Sequence, residues 1–307
     1  MKLTRLAWLV PILMPCASCS QPSVHDQLVA LVDSTGAEVG VWFQDLNTGD
    51  TLAVNADLRM HAASTMKVPV MIQVYRDVEA GRFDTARPLR VVNRFHSIVD
   101  SSIYALDRAD DSDSSLYMRI GDTMAPSELL ELMITVSSNL ATNILIDQVD
   151  PRRVTATMRA LGADSIQVLR GVEDIKAFDA GLSNTTTARD LGVIMAAIAE
   201  GRAAGPASTD SMLAILRRQH FNEGIPAGLP ADAVVAHKTG WITGIHHDAA
   251  YVTTPGGKRY VLVVMIRGIT SDTAAARLQA RVATLLNSVA AALPARSHPA
   301  PLGSGGT

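Results

Sequence analysis

Apolar and polar residues alternate from Glu38 to Gln44, with Val39, Val41 and Phe43 on one side. Period-two alternation marks a half-buried strand. Asn47-Thr48-Gly49-Asp50 follows as a turn, and Thr51 to Val54 resumes the extended pattern, which predicts a hairpin. The pattern then becomes helical. A helix is expected from Ser64-Thr65, with Pro69 near its first turn, Val68, Met71, Ile72 and Tyr75 on its faces, and Gly81 at its end. Further helical runs are predicted after Ser127, from Ser138 to Val149, from Val154 to Leu161, from Ala188 to Glu200 behind Thr185-Thr186-Thr187, and from Ser211 to His220. The end of the chain alternates again. Ala233 to Lys238, Ala249 to Thr253 and Tyr260 to Arg267 read as strands, Pro255-Gly256-Gly257 as a turn, and Thr273 to Leu293 as a closing helix.

Strands at both ends around a helical middle predict an α/β fold. One antiparallel sheet is built from both termini and flanked by helices, with an all-helical lobe inserted. The α/β lobe is expected over about 25–63 and 221–293, and the helical lobe over about 64–220. A cleft between two lobes is a usual place for a small-ligand site.

The ends differ from this body. Lys2 and Arg5 precede the apolar stretch Leu6 to Met14, which is too short to span a bilayer, and small and polar residues follow from Ala17 to Ser20. Residues 1–20 therefore read as an export leader, which places the protein in the periplasm or on a membrane. Both cysteines, Cys16 and Cys19, fall in or beside this leader, so the mature domain is expected to lack a disulfide. Ala17-Ser18-Cys19 fits the small-residue part of a lipoprotein cleavage site, although Cys16 stands where an aliphatic residue is usual. Lipid attachment at Cys19 is an expectation. Residues 294–307 are mostly Pro, Ala, Gly and Ser and read as a disordered tail. The formal charge of -3 and the lack of a basic stripe give no sign of nucleic acid binding. No transmembrane helix is expected in the mature chain, and a monomer is expected.

Lysine usage sharpens the chemistry. Only Lys2, Lys67, Lys176, Lys238 and Lys258 are present, against a total of 27 Lys and Arg. Unlike arginine, a buried lysine can lose its proton near neutral pH. Lys67 ends Ser64-Thr65-Met66-Lys67, and Lys238 begins Lys238-Thr239-Gly240; Ser137-Ser138-Asn139 lies between them. A serine hydroxyl is a poor nucleophile until a base takes its proton. Lys67, one helical turn beyond Ser64, is placed to be that base. Ser137 can relay a proton to a leaving nitrogen, and Asn139 can hold a substrate amide. Lys238 and Thr239 at a strand edge can hold a carboxylate, while Gly240 allows backbone to approach backbone. The N–H groups of Ser64 and Trp241 are the expected oxyanion donors.

The three motifs in this order resemble the signature of class A β-lactamases and penicillin-binding proteins. The resemblance covers roughly residues 25–293. It implies an acyl-enzyme on Ser64, Lys67 as base, Ser137 as proton relay, a small β-lactam as substrate, and no metal or organic cofactor. It also points to Glu173, in Arg170-Gly171-Val172-Glu173 before the threonine run, as the carboxylate that directs water onto the acyl-enzyme. Asp174 is the nearest competitor, and Asn143 matches the family asparagine that holds this carboxylate. Three departures stand out. Ser138 replaces the usual Asp of the second motif, Ala177 stands where an asparagine commonly holds the deacylating water, and the segment between the first two motifs is long. A D-alanyl-D-alanine carboxypeptidase, a slow penicillin binder, an esterase and a non-catalytic binding lipoprotein are the alternatives.

Two further clusters read as structural. Asp100, Asp107, Asp110, Asp111 and Asp113 are expected to form a solvated acidic loop, since their spacing lacks the glycine and closing glutamate of an EF-hand. His237, His246, His247 and Asp248 are expected to line a strand end rather than bind metal.

Overall fold

The computed structural model describes residues 22–292, so the leader, Cys16, Cys19 and the tail lie outside the described residues. The helices are α1 (Val24–Asp33), α2 (Lys67–Glu79), α3 (Pro126–Thr135), α4 (Asn139–Ile146), α5 (Pro151–Ala160), α6 (Ile175–Asp179), α7 (Ala188–Ala199), α8 (Pro206–Leu216) and α9 (Asp272–Ala292). The main sheet contains β1 (Glu38–Asp45), β2 (Thr51–Val54), β3 (Val234–Ile242), β4 (Ile245–Thr253) and β5 (Arg259–Arg267). Its order is β2-β1-β5-β4-β3, antiparallel throughout, so both chain ends build it as expected.

Strand alternation assigns the two cores. Val39, Val41, Phe43, Leu262, Val264 and Ile266 face outward under α1 and α9, in one buried cluster. Trp42, Val261, Val263 and Met265 point the other way and join the core of the helical lobe. Full burial of each such aliphatic side chain is worth about 1.5–3 kcal/mol. Helix α7 connects the lobes by lying against the sheet. Gly192 makes this possible, because a Cβ there would stand 2.0 Å from the Trp42 ring. A boundary at residues 64 and 220 therefore assigns to the helical lobe a helix that also packs on the sheet.

Several element limits differ from the sequence expectation for local reasons. Helix α1 was not expected, yet Ser23 and Asp26 form a reciprocal capping box at its start. The helix after the first motif begins with a 3-10 turn, Ala63–Met66, and turns α-helical at Lys67. Pro151 opens α5 behind the Asp150 cap, and Pro206 opens α8 five residues earlier than expected. The Lys-Thr-Gly motif lies inside β3, which continues to Ile242 and turns through Thr243-Gly244 into β4. As the sheet edge, β3 leaves part of its backbone unpaired along the cleft.

Candidate active site

The nucleophile candidate sits on a tightly held turn. The His61 ring nitrogen Nδ1 accepts from the Ala63 N–H at 3.0 Å, and Ala63 has φ 45. Thr65 returns its hydroxyl to the Ala62 carbonyl at 2.6 Å. Ser64 is half-buried and opens into a cavity of about 250 Å³ that also takes in Asn139, Glu173, Phe178 and Trp241. A second cavity of about 450 Å³ lies beyond Trp241, lined by Phe221, Thr239, His246 and Arg277. The smaller one is the candidate site on chemistry, since Ser64 and Glu173 both line it.

Lys67 is fully buried at the first turn of α2. Its Nζ donates to the Ser137 carbonyl at 2.7 Å, to Ser137 Oγ at 3.2 Å and to Asn139 Oδ1 at 2.9 Å. Burial pulls the amine down to about 7, while the carboxylates of Asp111 and Glu173 work in the other direction. Lys238, also fully buried, donates to the same Ser137 Oγ at 3.1 Å and to the Thr239 carbonyl at 2.8 Å. Burial and then the nearby Lys67 hold it well below the ordinary lysine value, against the opposing Asp248. Ser137 has φ 59, a conformation that costs roughly 1–3 kcal/mol and that aims its carbonyl and hydroxyl at the lysines.

Asn139 is the hub of the site. It begins α4, where Ser138 Oγ accepts from the Ala141 N–H at 3.3 Å as cap. Its Oδ1 accepts from Lys67, and its Nδ2 donates to Glu173 Oε1 at 2.8 Å. Burial pushes the Glu173 carboxyl above its ordinary value, the Asn139 hydrogen bond opposes this, and the charge of Asp111 adds to it. Glu173 also has a positive φ of 61. Of the non-glycine residues in that region among the described residues, Ala63, Ser137 and Glu173 gather here, as strained backbone does at functional sites.

Two sequence expectations are corrected. Asn143 does not hold the Glu173 carboxylate. Its Oδ1 accepts from the Val172 N–H at 2.7 Å and its Nδ2 donates to the Val172 carbonyl at 3.0 Å, so it fixes the backbone one residue earlier. The amide lies against Gly171, where a Cβ would stand 2.3 Å from Asn143 Oδ1. Nor is the acidic loop simply solvated. Asp111 accepts from the Asn139 N–H at 2.9 and 3.0 Å, from the Leu140 N–H at 2.9 Å and from the Tyr117 hydroxyl at 3.0 Å. The Asp107 backbone also favours the ionised form of the Glu173 carboxyl.

The remaining candidates fall into place around this network. Asp174 is buried and committed to the Ser97 hydroxyl, the Ile98 N–H and the cap of α6. Ala177 is fully buried in α6. Gly240 presses on the nucleophile turn, since a Cβ there would lie 2.9 Å from the backbone nitrogens of Ser64 and Thr65. Thr239 Oγ1 is buried without a hydrogen-bond partner among the described residues. Trp241 is partly exposed and meets Phe221 edge-on at 4.8 Å. The histidines diverge. His237 Nδ1 pairs with Asp248 at 2.8 Å, the His247 Nε2–H donates to the His61 carbonyl at 2.9 Å, and His246 Nε2 lies 3.6 Å from Asp272. Among the described residues no group of three side chains is arranged to hold a metal ion.

Comparison with known proteins follows the same lines. The model of the β-lactamase enzyme family matches residues 23–290. A β-lactamase of Streptomyces fradiae is 29% identical over 253 residues, which are 81% of this chain and 80% of the relative. A point mutant of PBP-A, solved as an acyl-enzyme complex with penicillin G, superposes with a TM-score of 0.75 at 30% identity, covering 88% of this chain and 97% of that one. A β-lactamase from Sphaerobacter thermophilus gives a TM-score of 0.72 at 28% identity, covering 88% and 98%.

Proposed function

The chain belongs to the β-lactamase enzyme family, and from that premise we propose that its cleft hydrolyses β-lactams through an acyl-enzyme on Ser64. One observation carries the assignment. Lys67, Ser137, Asn139, Glu173 and Lys238, far apart in sequence, meet in one buried hydrogen-bond network beside the Ser64 turn.

The steps follow from this geometry. Neutral Lys67 accepts the Ser64 proton as the hydroxyl oxygen attacks the lactam carbonyl, which the lowered basicity of a buried amine permits near neutral pH. The carbonyl oxygen gains charge in front of the Ser64 and Trp241 N–H groups, and losing one such donor costs about 3 kcal/mol of transition-state stabilisation. Ser137 Oγ, in contact with both lysines, passes a proton to the departing nitrogen. Lys238 and the unpaired Thr239 hydroxyl hold the substrate carboxylate. Glu173 then takes a proton from water as that water attacks the ester carbonyl. The ester C–O bond breaks, and that proton passes to the departing Ser64 oxygen, which restores both the hydroxyl and the carboxylate. Mass spectrometry after incubation with a penicillin tests the scheme. An adduct on the Ser64 peptide that forms and decays supports it, and turnover that persists in Ser64→Ala overturns it.

Slow release of the acyl group, as in a penicillin-binding protein, is the alternative, and one observation favours it. Ala177 stands where the resembling enzymes commonly carry an asparagine that holds the deacylating water, and it offers no side-chain amide. Steady hydrolysis of nitrocefin excludes it, and a single stoichiometric burst supports it. The reading includes export, with Cys19 as the site of lipid attachment, on the strength of the basic and apolar leader. A mature N-terminus without Cys19 would remove the lipid.

A further inference from the structure

We propose that Asp111, carried on the long segment between the first two motifs, is a positioning residue that sets the second motif for catalysis. The inference rests on the acyl-enzyme reading and deepens it. The Asp111 carboxylate accepts from the first two backbone N–H groups of α4, those of Asn139 and Leu140, and the Tyr117 hydroxyl braces it from behind. Ionised acceptors at a helix start make strong hydrogen bonds and complement the helix dipole.

What this carboxylate holds gives it consequence. Both functions of the Asn139 side chain are in use, one toward Lys67 and one toward Glu173. The backbone nitrogen of Asn139 therefore anchors the residue that orients both the acylating base and the deacylating carboxylate. The second motif itself supplies little of this support. Ser138 stands where the resembling enzymes usually carry an aspartate, and its hydroxyl meets the Ala141 N–H only at 3.3 Å. The missing carboxylate arrives instead from 28 residues upstream of Asn139. The same loop also acts on Glu173, whose ionised form the Asp107 backbone favours. The long segment is thus part of the catalytic frame.

Quenched-flow mass spectrometry and nitrocefin kinetics on the intact protein test this. Asp111→Ala is expected to slow acylation and deacylation together by about 10–100-fold, the scale of a misplacement near 1 Å, with a smaller change in KM. Asp111→Asn keeps one acceptor and falls between. Adding Ser138→Asp to Asp111→Ala returns a carboxylate to α4 and is expected to recover most of the lost rate. Asp110→Asn removes charge from the same loop without touching α4 and is expected to leave acylation within about twofold, since its charge acts on Glu173 and not on Lys67. Wild-type rates in Asp111→Ala and Asp111→Asn, or a loss that Ser138→Asp leaves unrepaired, overturn the proposal. Should Asp111→Ala fail to fold, Asp111→Asn alone and with Ser138→Asp carries the same comparison. A wild-type protein that forms no adduct would instead defeat the acyl-enzyme reading.

Discussion

Lys67 and Lys238 share one acceptor, the Ser137 hydroxyl oxygen, at 3.2 and 3.1 Å. Both amines are fully buried, and after burial itself the nearby Lys67 disfavours the charge of Lys238. The pair therefore resists double protonation until an anion arrives between them. A substrate carboxylate is such an anion, and its charge favours the protonated form of Lys238 that burial disfavours. Binding of a penicillin to Ser64→Ala is expected to take up protons, and affinity should fall as pH rises. Calorimetry in buffers of different ionisation enthalpy checks this. An observed enthalpy independent of buffer would show that Lys238 keeps a fixed charge.

The two catalytic carriers should separate on a pH axis. Lys67 works as a base only when neutral, and its amine is pulled down to about 7. The acylation rate, read as kcat/KM, is expected to fall as pH drops through about 7. Glu173 must be ionised to activate water, and burial raises its carboxyl above the ordinary glutamate value. The deacylation limb therefore lies above the usual carboxylate range. Lys67→Arg cannot deprotonate near neutrality, so it should abolish acylation at every pH. Coincident limbs for the two steps would show that one group serves both.

Burying Lys67 has a cost that pH can reveal. Its folded pKa lies below its unfolded value, so between about 7 and the ordinary lysine value of about 10.4 the unfolded chain binds more protons. Stability attributable to this site rises with pH across that window. Lys67→Met removes the titration. The variant is expected to melt above the wild type at pH 6, and the gap should narrow by pH 9. Each kcal/mol corresponds to roughly 2–4 °C for a chain of this size. A gap that grows with pH would contradict the burial of a neutral amine.

Glu173→Gln isolates the second half of the reaction. The glutamine carbonyl can still accept from Asn139 Nδ2, so the network that Glu173 joins at 2.8 Å is kept. The base is lost. A general base is worth about 10²–10⁴-fold, so steady turnover of nitrocefin should fall by that amount while the initial burst remains. Mass spectrometry should find the adduct on Ser64 persisting. Unchanged turnover would take Glu173 out of the mechanism.

The parts of the site that were legible in the sequence are those fixed over short spans. Ser64 and Lys67 lie one turn apart, Ser138 caps its own helix, and β3 is marked by its apolar run. A single sheet drawing on both ends of the chain was legible too, whereas its strand order became visible only in the fold. Asn143 was misjudged because spacing specifies a neighbourhood, whereas the amide chose the Val172 backbone that Gly171 exposes. Asp111 was hidden for the opposite reason. Nothing within reach along the chain distinguishes it from Asp110, and only the fold brings it to Asn139. The one signal in the sequence was indirect: Ser138 leaves the second motif without its carboxylate.

Gly240 tests whether the strand and the nucleophile turn act as one piece. Its missing side chain lets β3 lie so close that a Cβ would stand 2.9 Å from the backbone nitrogens of both Ser64 and Thr65. Neither is the end of a flexible side chain, so Gly240→Ala must push strand and turn apart. The adjoining residues include Trp241 and Thr239, whose N–H and hydroxyl are assigned to the substrate. A shift near 1 Å can cost about 10²-fold in rate, and kcat/KM for nitrocefin is expected to fall by about that factor. Because the atoms that must give way are backbone and the middle of β3 is buried, the melting temperature should fall as well. Wild-type kinetics in Gly240→Ala would show that this close approach does not serve catalysis. A large loss of stability with kcat/KM unchanged in the folded fraction would place its importance in packing instead.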